Sequence, residues 1–250
     1  MKTRHIALGL ILVLTIIASL IGTIRPGIVN AAGWLSGWAN RVPLSIDQSR
    51  IDATLKDFPV LVSLGKSSGM NEKDLSQIID QLGDNPLKIA LTTSDGVTQC
   101  YTEIDKWDTQ NKQAYLWVKL PSVSPSGDNT FYLYYDPNQA DNSAYVGTAG
   151  SEAARNVWDD SFKAVLHMGE NASSASDNYK DSTSSAHHAT AGGSSAVPSP
   201  SEGKIGDSQS FAGGDYLQIP DHNDFSVSTT GELTISFWLS PNVQNMAGSD

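Results

Sequence analysis

Phe211-Ala-Gly-Gly-Asp-Tyr-Leu-Gln-Ile-Pro-Asp221 is followed one turn later by Leu233-Thr-Ile-Ser-Phe-Trp-Leu-Ser-Pro241, and both stretches alternate with a period of two. Leu217 and Ile219 alternate with Tyr216, Gln218 and Pro220; Leu233, Ile235, Phe237 and Leu239 alternate with Thr234, Ser236, Trp238 and Ser240. That period belongs to a half-buried strand and is incompatible with a helix. The pattern predicts two antiparallel strands, with Gly213 and Gly214 in a tight turn and Pro220 and Pro241 ending ladders that need no further donor.

The same rhythm runs through the preceding region. Val42–Ile46, Phe58–Leu64, Leu87–Thr92, Ala114–Leu120 and Phe131–Tyr135 are short apolar or alternating runs separated by turn residues, as in an all-β sandwich. One helix is predicted over Asn71–Leu82, with Leu75, Ile78, Ile79 and Leu82 on one face and Gly83 as its stop. Small and polar residues over 148–156 separate the two regions. The expectation is therefore all-β: two jelly-roll-like β-sandwich domains, 34–147 and 157–250, one short helix in the first, and a signal helix ahead of both.

Lys2 and Arg4 precede an uncharged, mostly apolar run from Ile6 to Ile24, and Val29-Asn30-Ala31 offers a small residue at a cleavage position. Residues 1–31 therefore read as an export signal, either cleaved or kept as an anchor, since a spanning helix uses about 17 to 25 residues. Removing them deletes Lys2, Arg4 and Arg25 and no acid, which takes the formal net charge from −11 to −14. So acidic a chain is a poor ligand for nucleic acid or anionic lipid. Cys100 is the single cysteine, so no intrachain disulfide can form.

Two family resemblances are carried by these residues. Residues 211–241 resemble the opening strands of a laminin-G-like, concanavalin-type jelly roll, a family that implies recognition more often than catalysis. Trp38–Ile46, Asp57–Leu64, Thr93–Gly96, Tyr101–Trp107, Tyr115–Pro121 and Phe131–Tyr135 are similar, in order, to an uncharacterised domain of prokaryotic envelope proteins, covering about Trp34–Gly147. That domain often precedes a laminin-G-like one, and some relatives are labelled biopolymer-transport proteins. The chain departs at Lys88 and Ala90, where the resemblance implies Asp and Arg, so any ion pair between those positions is lost. Laminin-G-like domains need more strands than 157–250 supplies, and the expectation is a fragment of a longer surface protein.

Glu103-Ile-Asp105-Lys-Trp-Asp108 resembles the acidic strand of laminarinase-type retaining glycosidases. Glu103 and Asp105 project from one strand face, and a bulge would bring Asp108 round to join them. The third acid is Asp where those enzymes carry Glu, and charge that blocks unwanted sheet pairing explains the motif more simply. His187 and His188 point to opposite sides of an extended segment, with no third His or Cys beside them in sequence to complete a metal set. No Gly-x-Ser-x-Gly elbow or phosphate loop occurs. Asn171-Ala-Ser173 matches the N-glycosylation pattern.

Calcium is the cofactor entertained. Asp177, Asp181, Asp215 and Asp221 lie around the Ser-rich stretch Asn171–Pro200, and hard cations collect scattered carboxylates once the chain folds. Asp181 and Asp215 are the ligands that the jelly-roll resemblance implies. Glycan would stack on aromatic faces, for which Tyr179, Tyr216 and Trp238 are candidates. The Ser-rich loop predicts an exposed Tyr179, and the alternation around Trp238 favours a core position. The functional expectation is an exported cell-surface protein binding carbohydrate or a protein ligand for adhesion or substrate targeting, without catalysis in this segment. The alternatives are a glycoside hydrolase or its accessory module, and a structural envelope component of a transport complex or surface layer.

Overall fold

Ala114, Leu116, Val118 and Leu120 are buried on one face of the strand Gln113–Val123, while Tyr115, Trp117 and Lys119 stand half-buried on the other. Repeated along the chain, this alternation gives two four-stranded sheets in the computed structural model, which describes residues 33–192 and 197–241. The first sheet runs in the order β1 (Asn40–Ser45), β7 (Thr130–Tyr135), β3 (Ile89–Thr92) and β4 (Gln99–Cys100), antiparallel throughout. In the second the order is β2 (Leu55–Leu64), β6 (Gln113–Val123), β5 (Thr102–Asp108) and β8 (Val146–Thr148), with β5 and β8 parallel.

One apolar core joins the two sheets. Val42, Leu91 and Leu133 from the first meet Val62, Ile104, Leu116 and Val118 from the second, and burial of each side chain contributes about 1.5–3 kcal/mol. The all-β, sandwich-like expectation holds. The helix also forms, over Ser76–Leu82, and buries Ile78, Ile79 and Leu82, with Leu75 beside them. It starts later than the Asn71 predicted, because Ser68 and Lys73 exchange backbone hydrogen bonds in a β-bridge that holds residues 69–73 in a turn. Asp74, one residue before the N-cap Leu75, accepts from the Ser76 amide and hydroxyl. Cys100 is buried, which pushes its thiol up to about 12, so it is un-ionised and unreactive at neutral pH.

Two two-stranded antiparallel sheets come next: the hairpin of β10 (Ser199–Glu202) with β11 (Asp207–Ser210), and β9 (Thr190–Gly192) with β12 (Tyr216–Gln218), which closes around it. The strand expected at Tyr216 forms, but its partner is β9, because Gly192 lets the Tyr216 ring lie against its backbone where any side chain would collide. The apolar residues Leu233, Ile235, Phe237, Trp238 and Leu239 are exposed. Among the described residues that segment joins no ladder and meets no second layer, which overturns both its half-buried pairing and the core position expected for Trp238.

The described residues from Gly33 onward fall in one compact unit. The stretch 148–156 carries the end of β8 and a helical turn, Glu152–Arg155, which is capped by Ser151 and buries Ala153 and Ala154. Lys88, at the departure from the envelope-domain pattern, donates to the carbonyls of Pro137 and Gln139 instead of an acid, and Ala90 is buried opposite Tyr134. The export signal at 1–31 lies outside the described residues. Among those described, no helix is long and apolar enough to cross a membrane.

Candidate functional site

The register of β5 against β6 shifts between Ile104 and Lys106, so Asp105 is the extra residue of a bulge. A bulge reverses the parity of the residues after it. Ile104 and Trp107 both pack on the core, and Trp107 Nε1 donates to the Gly83 carbonyl at 2.8 Å. Glu103, Asp105 and Lys106 are left to meet the chain beyond residue 157. The bulge expected from sequence is present, and it puts Asp108, together with Lys106, on the face of Glu103.

Glu103 is fully buried among three partners. Trp158 Nε1 donates to its Oε2 at 2.7 Å, Ser182 Oγ donates to its Oε1, and His167 Nε2 lies 3.1 Å from Oε2, off the hydrogen-bond axis. The other nitrogen of the same ring, Nδ1, is 3.2 Å from Asp105 Oδ2, which also accepts from Trp117 Nε1 at 3.1 Å. Trp117 stacks on the imidazole at 6.2 Å between centroids, and Trp158 flanks it at 6.0 Å. Burial pulls the His167 pKa down, but a hydrogen bond to Asp105 and the charges of Glu103 and Asp105 prevail and raise it to about 10. An imidazolium thus sits between two carboxylates under two indoles.

Local backbone pairing brings these groups together. Leu166 bridges Asp181, and the Ser182 amide donates to the Val165 carbonyl, so His167 and Ser182 arrive on β5 from adjacent extended segments. Lys106 pairs with Asp207 at 2.7 Å, and Gly206, at φ 58°, packs against Asp105. A Cβ at Gly206 would lie 2.7 Å from Asp105 Oδ1. Gly206→Ala is expected to cost about 1–3 kcal/mol through left-handed backbone strain and displacement of Asp105, measured by urea denaturation. A loss below about 0.5 kcal/mol would mean the hairpin turn is not seated on β5.

The carboxylates expected to act together are differently employed. Asp108 accepts from the amides of Gln110 and Asn111 and from Asn111 Nδ2, and these hydrogen bonds hold its carboxyl below the usual range. It lies five residues, about 15 Å of strand, from Glu103, whereas retaining hydrolysis needs carboxyls about 5 Å apart. Glu103 and Asp105 share one histidine, and Glu103 is sealed from solvent. The glycosidase set is not assembled in this arrangement.

Asp181 is likewise committed. Its Oδ1 accepts from the amides of Val165 and Thr183, and its Oδ2 from Thr183 Oγ1 and the His187 amide, so it organises a loop with no lone pair directed outward. Asp215 Oδ2 accepts from the Ala212 amide, while Oδ1 is buried without a partner among the described residues. Tyr179, expected in solvent, is fully buried in a small core with Ala189 and Ala191, because its bridge to Ala189 draws the ring inward. Burial, together with the charges of Glu170 and Asp215, raises its hydroxyl pKa. Tyr216 is 49% exposed and Trp238 72%. Sequence reasoning singles out Glu103 and Asp105 but misses His167, Trp117, Trp158 and Ser182. Their one signal is a lone His within Val165-Leu-His-Met168, which has no periodicity or spacing to mark it.

Residues 85–160 match a domain of unknown function, DUF2341. The match overlaps the region of envelope-domain resemblance, spans 148–156, and includes Glu103, Asp105, Trp117 and Trp158. No curated protein and no solved structure matches the chain.

Proposed function

We propose that the chain is an exported, non-enzymatic surface module that binds carbohydrate through aromatic side chains of its C-terminal region, in the manner of a laminin-G-like jelly roll. The observation that carries this reading is the division of labour among side chains. Glu103 and Asp105 are spent internally, while Tyr216 is half-exposed and lies against Gly192 as a pre-set platform. A ring fixed in this way loses little freedom when a sugar stacks on it. The acidity of the chain and its N-terminal signal pattern support a place outside the cell.

A calcium ion belongs to the same proposal, with its ligands revised. Asp181 has no oxygen to offer, but Asp215 Oδ1, Glu170 Oε2 and Gln209 Oε1 are buried without partners among the described residues. Oxygens of this kind suit a hard divalent cation.

A glycan array probed with the chain in calcium, and again in chelator, tests the reading. Binding to a defined sugar class that falls at least tenfold in Tyr216→Ala is the expected outcome. Absence of binding in both conditions by a folded sample would overturn the carbohydrate assignment, and binding unaffected by chelator would remove calcium from it.

A further inference from the structure

His187, His222 and Asp224 come from separate parts of the sequence, yet each brings one ligand atom to within 4.8 Å of the other two. The third residue that the His187-His188 pair lacks in sequence is supplied by folding. The Asp181 carboxylate holds the loop by accepting the His187 amide, and the His188 ring turns the other way to accept the Asp181 amide. His187 is therefore presented alone, packed against the Phe225 ring at 4.8 Å and the His222 ring at 4.5 Å.

Both imidazoles converge on one carboxylate oxygen. His187 Nε2 lies 2.8 Å and His222 Nδ1 3.3 Å from Asp224 Oδ2. His222 Nδ1 also accepts the Asp224 backbone amide at 3.2 Å, which requires an unprotonated nitrogen. That single lone pair is also the one a metal would take, so binding an ion through Nδ1 replaces the hydrogen bond from the amide. Tetrahedral zinc, with bonds of about 2.0–2.2 Å, spaces its ligand atoms about 3.3 Å apart.

We propose that His187, His222 and Asp224 form a binding site for a borderline divalent transition-metal ion of the zinc class. Two imidazoles and one carboxylate select such an ion over calcium, which prefers oxygen alone. His222 and Asp224 are solvent-exposed, so the fourth position is open to water or to a donor from a bound partner. The ion ties the turn Asn223–Phe225 to the loop that Asp181 organises. The site is independent of the glycan and calcium assignments.

Titration calorimetry with zinc chloride on the full chain at pH 7.5 tests it. One equivalent should bind, with at least tenfold weaker affinity in His222→Ala and in Asp224→Asn, and cobalt(II) in the same site should give a tetrahedral visible spectrum. Both variants alter exposed side chains, and their metal-free unfolding temperatures should match that of the unsubstituted chain. Absence of saturable zinc binding, or binding unchanged by both substitutions, would overturn the site.

Discussion

His167→Ala is expected to lower the unfolding free energy by about 3–5 kcal/mol, because it strands the buried Glu103 carboxylate and removes the charge that Asp105 faces. At roughly 2–4 °C per kcal/mol for a chain of this size, the melting temperature should fall by about 10 °C. The Trp158 and Ser182 hydrogen bonds survive the substitution, but they do not neutralise the carboxylate. The ion pair also sets a pH dependence. With a folded pKa near 10 against 6.5 for an ordinary histidine, the folded state binds the proton more tightly than the unfolded chain does. The contribution is complete below about pH 6.5 and is lost progressively as the pH rises through 10. Urea unfolding between pH 6.5 and 10 should show stability declining in the unsubstituted chain, with that part of the decline absent in His167→Ala. Equal slopes would show that His167 does not carry the charge.

Trp158→Ala should be comparably damaging, at about 3–5 kcal/mol, for a different reason. The indole is buried, packs against Trp117 and Phe162 at 5.4 and 5.1 Å, and donates to Glu103. Trp158→Phe retains most of the packing and loses the donor, and it should cost about 1–3 kcal/mol. The difference between the two variants separates the cavity from the hydrogen bond. If the phenylalanine variant were as unstable as the alanine one, the bond to Glu103 would carry the effect. The His167 and Trp158 losses should not add, since both act on Glu103.

Features that depend on local pattern are legible in the sequence. Strands β1, β2, β3, β6 and β7 lie where alternation places them, and the helix buries the predicted face, because burial on one side of a strand or helix imposes a period on the sequence. Features that depend on distant pairing are not legible. The bulge at Asp105 changes parity by a single residue, and nothing in Glu103–Asp108 specifies where it falls. The Ser-rich surroundings of Tyr179 predict exposure, but the bridge to Ala189 decides its burial. The clustering of His187 with His222 and Asp224 spans 37 residues and leaves no trace in local spacing. The alternation of 233–239 is a strand pattern, but the layer it would face is absent among the described residues.

Glu103 and Asp105 are engaged in holding the chain beyond residue 157 on the sheet, with the His167 imidazolium between them. Titration of the His167 imidazole by NMR tests this most directly. The expected ring is protonated at neutral pH and begins to lose its proton only toward pH 10. A ring that is neutral at pH 7 and titrates near the ordinary value of 6.5 would contradict this assignment, and would restore a histidine–carboxylate pair able to exchange protons with a substrate.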